Sequence, residues 1–245
     1  MNHTTTQQKG QPEAVDEKMV APLYVNFMCY KLNPEFRRLN SKVRERGAKD
    51  FLTEAKRHLS GSKLQLRSYL ATGFRAEVDL VLWAISEEMG SFQTLATDLA
   101  STGLGSYLEP THTFLALRKG SPYTKHHPQA FEQKNLPPYK YLFLYPFVKT
   151  RQWYLLPFEK RREMMREHTT IGSKYPSVRI NTTYSFGLGD QDFVLAFESN
   201  EAADFEGLVQ DLRGTQASLY TVRDTPFIVA TQKKSLEEAV WDLKI

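Results

Sequence analysis

The sequence has little of several features that usually classify a chain at once. Its single cysteine, Cys29, excludes an internal disulfide and any metal site made of several cysteines. Its longest apolar runs, such as residues 141–148, fall far short of the roughly 20 residues that a membrane-spanning helix requires. The polar segment 1–19 also lacks the apolar stretch of a secretory signal. We therefore predict a cytoplasmic protein without a membrane span, with residues 1–19 as a flexible tail.

The sequence also lacks a strong excess of charge of either sign. A net charge of +4 is slight for 245 residues, and the basic side chains are scattered apart from the run at 160–162. Such a run is more typical of the solvated face of a helix than of a phosphate-binding surface, which needs a larger basic cluster. We therefore predict no nucleic-acid partner.

What the sequence does contain is an internal repeat. The segment DLVLWAIS at 79–86 recurs as DFVLAFES at 192–199, and at the same displacement residues 91–100 correspond to 204–213 and residues 114–117 to 227–230. Each half has the order strand, helix, strand, strand, helix, strand. The predicted fold class is therefore α+β: tandem duplicated ferredoxin-like units that form a dimeric α+β barrel, with antiparallel sheets and the helices outside.

The predicted units are residues 20–117 and 139–245, and the segment between them, 118–138, follows neither periodicity. In the second unit we predict strands at 139–149, 178–188, 191–198 and 217–230, and helices at 157–173 and 201–213. A linker as long as 118–138 is usually either disordered or functional. Because this one carries His126 and His127, we favour a functional linker.

One histidine lies on the apolar side of the helix predicted at 157–173. Pro157 suits the first turn, Gly172 suits the C-terminal cap, and Met164 and His168 share a face because they are four residues apart. Two interpretations of His168 are open: a core histidine with both ring nitrogens hydrogen-bonded, or an axial ligand to a haem iron. A zinc site is less favoured, because no second histidine or carboxylate follows four residues later.

Four segments of the second half carry a resemblance to a known family. They are YPFVK at 145–149, the WY pair at 153–154, EHTTIGSKYP at 167–176 and YSFGLGDQDFVLAFE at 184–198. Together they resemble the chlorite dismutase superfamily and, within it, the coproheme decarboxylases of the actinobacterial type. The resemblance implies a homopentamer of duplicated ferredoxin-like subunits, each of which holds an iron porphyrin in its carboxy-terminal half.

The resemblance also implies roles for individual residues. His168 matches the proximal iron ligand of the family, Tyr145 matches the tyrosine that coproheme decarboxylases oxidise to a radical, and Lys149 matches the basic position beside the reactive propionates. Tyr145 and Lys149 are four residues apart on a predicted strand and therefore share a face. Trp153 and Tyr154 are expected to pack around the cofactor site or at a subunit contact rather than to relay electrons.

Ile180 and the linker histidines separate the subfamilies, whereas Gln216, on the proximal side, favours neither clearly. Ile180 stands where chlorite dismutases carry the arginine that orients chlorite, and an aliphatic side chain cannot do this. His127, or His126 beside it, matches the distal histidine that the actinobacterial decarboxylases take from the linker, where an imidazole could move a proton of bound peroxide. Gln216 stands where many relatives place a glutamate that accepts a hydrogen bond from the ligand histidine.

The resemblance thus implies a coproheme decarboxylase, a haem-biosynthesis oxidoreductase. It would use hydrogen peroxide to decarboxylate two propionates of iron coproporphyrin III (coproheme), so that one molecule serves as substrate and cofactor and leaves as haem b. The alternatives are a chlorite dismutase-like or peroxidase haem enzyme and a non-catalytic haem-binding or haem-sensing protein.

Overall fold

Nine strands form one antiparallel sheet that closes on itself. The computed structural model describes residues 22–123, 129–133 and 136–243, and every structural statement concerns these residues. The strands are β1 (Tyr24–Leu32), β2 (Gln65–Leu70), β3 (Leu80–Ser86), β4 (Leu108–Leu117), β5 (Tyr141–Lys149), β6 (Val178–Tyr184), β7 (Phe193–Ser199), β8 (Thr221–Arg223) and β9 (Ile228–Lys233). They are hydrogen-bonded in the order β7-β6-β4-β1-β3-β2-β9-β5-β8, and β5 also pairs with β7, so that all strands except β8 form a ring.

The ring consists of two copies of one arrangement. In the first half the neighbours run β4-β1-β3-β2, and in the second half the corresponding strands run β9-β5-β7-β6. This is the strand order of a ferredoxin-like unit, and β2–β9 and β4–β6 join the two units into a barrel. The predicted duplicated α+β fold is therefore confirmed.

The α-helices lie outside the barrel. The α-helices are α1 (Pro34–Arg38), α2 (Ser41–Leu59), α3 (Gly90–Ala100), α4 (Arg151–Leu155), α5 (Phe158–Gly172), α6 (Ala202–Arg213) and α7 (Leu236–Asp242), and the 3-10 helices are Gly105–Tyr107, Ala130–Glu132 and Gln216–Tyr220. Helices α2 and α3 pack on the outer face of the first unit, and α6 packs on that of the second. Among the described helices, none combines the length and the apolar character needed to cross a membrane.

Side chains alternate between the two faces of each strand, and the inward-facing ones from both units fill the interior of the barrel. The inward-facing side chains include Val25, Phe27, Cys29, Tyr69, Trp83, Leu142, Leu144, Val194, Ala196 and Ile228. Strand β3 is buried along its whole length, because its inner side chains enter this core while its outer ones contact the helices. Part of the predicted linker also enters the barrel. The Phe131 ring lies 5.5 Å from the Trp83 ring, and the backbone N–H of Phe131 donates a hydrogen bond to Asn181 Oδ1 at 3.0 Å.

The last helix crosses back to the first unit. Although α7 follows the second unit in sequence, Ala239 and Val240 of α7 and Leu243 just after it are buried in the core between the first sheet and α2. The predicted unit boundaries, 20–117 and 139–245, stay a prediction. The packing of α7 nevertheless shows that the end of the chain stabilises the beginning.

This packing gives a stability prediction. Leu243→Ala should lower the free energy of unfolding by about 2–5 kcal/mol, because Leu243 is only 2% exposed and its loss leaves a cavity. Urea unfolding measures the change. Val43→Ala, at a position that is 53% exposed, is the control and should change stability by less than about 0.5 kcal/mol. A Leu243→Ala variant as stable as this control would show that α7 does not pack as described.

Several sequence-based boundaries were wrong in detail. The segment predicted as one strand at 217–230 is a 3-10 helix followed by β8 and β9, since Pro226 has no N–H to donate to a strand ladder. The strand predicted at 178–188 ends at Tyr184, before Gly187, which adopts a φ of 74°. The helix predicted from Pro157 begins at Phe158, with Pro157 as its N-cap.

The third repeat match was also out of register. Phe114 and Ala116 face the barrel interior, whereas the inward residues of β9 are Ile228 and Ala230, so the true displacement in this strand is one residue longer. The predicted tail 1–19 and the linker histidines His126 and His127 lie outside the described residues.

Candidate functional site

The outer face of β5 carries the residues that the sequence singled out in the second unit. Tyr145, Phe147 and Lys149 alternate with inward-facing residues, as predicted. The Tyr145 ring is 6% exposed and lies between Phe197, with parallel rings 5.8 Å apart, and Phe227, at 4.2 Å. Burial raises the pKa of the Tyr145 phenol well above its usual value, and Asp224 adds to this. A phenol in this environment is neutral at physiological pH.

The hydroxyl of Tyr145 is left free by its neighbours. Within the described residues it makes no hydrogen bond, although its ring is packed on both sides. Nearby charges come from Asp224 and Arg213, which form an ion pair of 2.7 Å at the end of α6. Tyr145 is therefore fixed in position by ring packing while its O–H stays available to a ligand.

Lys149 lies at the end of β5 in a partly buried position. Its Nζ donates to the backbone carbonyl of Ala217 at 2.7 Å and lies 4.6 Å from the centre of the Trp153 ring. Burial lowers the pKa of Lys149 to about 8. At neutral pH the side chain is therefore mostly cationic, and it can exchange a carbonyl partner for an anionic one.

Helix α4 places Trp153 beside this lysine. Thr150 is the N-cap, and its side chain accepts a hydrogen bond from the backbone N–H of Trp153. Trp153 is 3% exposed and packs with Met164 of α5, Ala217 and, at 5.6 Å, the Tyr220 ring. Its place is consistent with the predicted packing role.

Asp192 is a residue of this region that the sequence analysis missed. One of its carboxylate oxygens accepts from the backbone N–H of Lys149 at 2.8 Å and from the hydroxyl of Tyr154 at 2.7 Å. The signal was available, because the repeat pairs Asp192 with Asp79, whose carboxylate accepts from the backbone N–H of Leu32 at the end of β1. In both units an aspartate fixes the end of the first strand, and in the second unit that end carries Lys149.

His168 projects from α5 in a partly buried environment. Burial lowers the pKa of His168 to about 4, and the charge of Lys149 acts in the same direction while Glu167 opposes it. The imidazole is thus neutral at physiological pH, with a lone pair free on one nitrogen. It makes no hydrogen bond to any described residue. Within the described residues, His168 is therefore not a core histidine with both ring nitrogens hydrogen-bonded.

Across from these residues, the sheet presents an open apolar surface. Ile180 on β6 is 44% exposed and Phe186 is 50% exposed, while Phe193 and Leu195 of β7 are half-buried between them and β5. Arg179 points to the other face of β6, where its guanidinium donates to the Pro137 carbonyl at 2.5 Å. At this position of β6, the side chain that faces the apolar surface is therefore that of Ile180 and not that of Arg179.

Gln216 stands near His168 but makes a different contact from the predicted one. The Gln216 side chain is exposed, and its backbone N–H donates to Glu167 Oε2 at 3.0 Å. Glu167 precedes His168 on α5, so this bond joins the 3-10 helix to α5. It fixes the helix that carries the histidine rather than the imidazole itself.

The residues present fit a porphyrin better than a bare metal ion. In the described ranges, the one group of three potential ligands close enough to share an ion is Glu54, His58 and Asp98 of the first unit, which does not include His168. A metal at His168 would need to bring its other donors with it, as an iron porphyrin does. If such a molecule bound here, the neutral imidazole of His168 would serve as a ligand to its iron, and the open apolar surface around Ile180 would contact its flat face.

Fold and site together define a duplicated ferredoxin-like barrel with a neutral histidine and an open apolar sheet face in its second unit, and comparison with known proteins identifies the family. The chlorite dismutase family profile matches residues 44–233. The coproheme decarboxylase of Mycolicibacterium smegmatis is 37% identical over 160 residues, which cover 65% of this chain and 69% of that protein. The chain belongs to the chlorite dismutase family.

Two other relatives widen the comparison. The chlorite dismutase of Ideonella dechloratans is 25% identical over 218 residues, which cover 85% of this chain and 76% of that protein. The structure of chlorite dismutase from Candidatus Nitrospira defluvii in complex with imidazole superposes with a TM-score of 0.83 over 91% of this chain and 95% of that one, at 22% identity. The latter likeness concerns the fold alone.

Proposed function

We propose that the chain is a coproheme decarboxylase that uses hydrogen peroxide to convert iron coproporphyrin III into haem b. The observation that carries this proposal is the grouping of Tyr145 and Lys149 on the outer face of β5, in the same unit as His168 and next to an open apolar surface. The identity of 37% to a protein named coproheme decarboxylase supports it.

The chemistry is a two-electron oxidation at each propionate. The side chain –CH₂–CH₂–COO⁻ loses carbon dioxide, a proton and two electrons and becomes a vinyl group, while hydrogen peroxide takes up the two electrons and two protons and gives two water molecules. The iron of the bound substrate supplies the redox chemistry that connects these halves. Two propionates require two molecules of peroxide.

His168 is proposed to bind the iron and to fix the porphyrin against the sheet. Its low pKa keeps a nitrogen lone pair available, and the absence of a hydrogen-bond partner among described residues leaves the ring free to turn toward the metal. Gln216 is proposed to act indirectly, because its backbone N–H is bonded to Glu167 and so helps to position α5, the helix that carries His168. Trp153 supports the same region by packing under Lys149.

Tyr145 is proposed to remove a hydrogen atom from the β-carbon of a propionate as a phenoxyl radical. Its ring is held by Phe197 and Phe227, and its hydroxyl is unpaired within the described residues, so a substrate carbon can approach it. Lys149 is proposed to pair with the carboxylate, exchanging the Ala217 carbonyl for the substrate anion. A cation there would hold the propionate carboxylate on the same strand face as the phenol, four residues further along β5.

The distal side of the site is proposed to be completed by the linker. Ile180 has no group that can move a proton, whereas an imidazole titrates near physiological pH and can take a proton from peroxide and return it to the leaving oxygen. His127, or His126 beside it, is our candidate for this role, and both lie outside the described residues.

The proposal includes assembly into a homo-oligomer, with a pentamer as the expected form. Three large apolar side chains on neighbouring elements at the end of β5 are strongly exposed: Leu155 at 83%, Leu219 at 73% and Val222 at 64%. Exposed apolar side chains grouped in this way are typical of a surface that another chain covers.

One experiment separates the proposal from its alternatives. Purified protein is mixed with iron coproporphyrin III and titrated with peroxide, and the porphyrin is analysed by mass spectrometry. Haem b, formed through an intermediate that has lost one carboxyl group, is the expected product. Binding with no change in porphyrin mass would favour a haem-binding or haem-sensing protein, and oxygen release from chlorite would favour a dismutase.

The exposed isoleucine on β6 predicts that chlorite is a poor substrate. Ile180→Arg should raise the trace rate of oxygen release from chlorite, because it places a cation on the open face of the sheet. An oxygen electrode measures the rate. Arg179→Leu is the matched control and should not change it, since Arg179 points to the opposite face. Rapid oxygen release by the parent protein would contradict the proposed specificity.

A further inference from the structure

The first unit contains a cavity that the proposed function does not use. It has a volume of about 480 Å³ and lies between α3 and the strands β1 and β4. Its lining is mainly apolar and includes Met28, Phe51, Phe92, Leu99, Leu108 and Leu115. A cavity of this size falls within the range of about 300–1,000 Å³ that is usual for small-molecule sites.

One buried polar side chain in this cavity has no partner. Asn26 is 8% exposed and lines the cavity, and its Oδ1 accepts no hydrogen bond from any described residue. It lies on the outer face of β1, opposite Ala84 of β3 and Leu115 of β4. Because buried amides are nearly always hydrogen-bonded, an unpaired one that borders an open apolar space indicates a missing donor.

The second unit shows how the same position is filled when no cavity is present. Strands β1 and β3 correspond to β5 and β7, so that Phe143 and Phe197 take the positions of Asn26 and Ala84. Both rings pack against Phe205 of α6, at centroid distances of 4.0 and 5.3 Å.

On the helix side the two units differ less. Phe205 of α6 corresponds to Phe92 of α3, which lines the cavity, and Val209 corresponds to Ala96, which also lines it. The first unit therefore keeps one of three aromatic rings and replaces the other two by an amide and a methyl group. This replacement creates a space suited to an aromatic ring, with an amide where the ring would end.

We infer that this cavity binds a small aromatic molecule that carries a hydroxyl group. The aromatic ring of the ligand occupies the space in the first unit that is equivalent to the one filled by Phe143 and Phe197 in the second. The hydroxyl group of the ligand donates to Asn26 Oδ1. A hydroxyl can also accept from the amide nitrogen, so it satisfies either end of the Asn26 side chain. The inference is independent of the proposed decarboxylase activity, because it concerns the other unit.

The test compares two probes of almost equal size and shape. The full chain without porphyrin is titrated calorimetrically with 4-propylphenol and with 4-propylanisole, in which a methyl group replaces the hydroxyl proton. The phenol should bind about tenfold more tightly, because it alone can donate to Asn26 Oδ1.

Three variants assign the binding to this cavity. Asn26→Leu removes the acceptor and should reduce the affinity for the phenol to that for the anisole, while raising the thermal midpoint of the free protein. Ala96→Phe fills the cavity from α3 and should abolish binding of both probes. Thr97→Phe, an exposed position on the same helix, is the matched control and should leave binding unchanged.

Two results would overturn the inference. The first is equal affinity of the two probes for the parent protein, with no effect of Asn26→Leu. The second is no binding of either probe to the parent protein. If, in addition, light scattering shows that the Ala96→Phe variant forms a smaller assembly than the parent protein, a second copy of the chain covers the cavity.

Discussion

Tyr145→Phe is expected to stop decarboxylation while leaving the protein folded and able to bind coproheme. The substitution removes only the O–H, and with it the group that is proposed to form the radical. The rate of haem b formation should fall by more than about a hundredfold, which corresponds to about 2.7 kcal/mol of activation free energy. Product mass spectrometry after addition of peroxide measures this rate.

The surroundings of Tyr145 make this variant unusually easy to interpret. Because the hydroxyl makes no hydrogen bond to a described residue and the ring packing is kept, the free energy of unfolding should change by less than about 1 kcal/mol. Tyr141→Phe is the matched control, since Tyr141 lies on the same face of β5 and should not affect the rate. The Soret band should show that coproheme still binds to both variants.

A near-parental rate for Tyr145→Phe would contradict the assignment of the radical. Tyr154 would then be the next candidate, although its hydroxyl is bonded to Asp192 and its pKa is raised by burial and by that bond. The double variant with Tyr154→Phe decides between them. If it also retains activity, the decarboxylase proposal itself is wrong.

His168→Ala is expected to remove the side chain that is proposed as the protein ligand to the iron. The absorption spectrum of the coproheme complex should lose its histidine-bound form, and the porphyrin should dissociate more than about tenfold more readily. Addition of free imidazole should restore the spectrum, because the substitution leaves a space of matching size. This rescue distinguishes a lost ligand from a damaged fold.

His58→Ala is the control for the loss of a histidine. His58 lies on α2 in the first unit, bonded to Asp98 at 2.9 Å, so its removal should leave the coproheme spectrum unchanged. An unchanged spectrum for His168→Ala would exclude this residue as the ligand and would remove the main structural support for an iron porphyrin in the second unit.

The sequence could predict the repeated units because the relevant signals are local. Periodicity in β3 and β7 and in α3 and α6 follows from the burial of one or both faces of each element. The barrel was predicted as an architecture, but the particular edge strands that pair to close it could not be predicted in the same way. Closure depends on pairing between edge strands that are distant in sequence, and no periodicity within a strand records which edge it meets.

The site shows the same division between local and non-local information. Tyr145 and Lys149 share a face because alternation along a strand is local, and the resemblance of the motif assigned their roles. The bond between Lys149 and the Ala217 carbonyl depends on where the 3-10 helix returns to β5, and Asp192 matters through a backbone contact that a motif does not reveal. The cavity at Asn26 became visible only when the two units could be compared in three dimensions.

The two joints of the barrel differ in the number of residue pairs that hold them. At one joint β2 and β9 share three paired positions, from Ser68 to Leu70, whereas at the other β4 and β6 share the single pair Leu117 and Tyr184. The ring is therefore easiest to open beside Tyr184, at the end of the strand that carries Ile180. A spread at this joint would expose the interior of the barrel beside Phe114 and Val194, and it would leave the outer apolar face that carries Ile180, which is already open, unchanged.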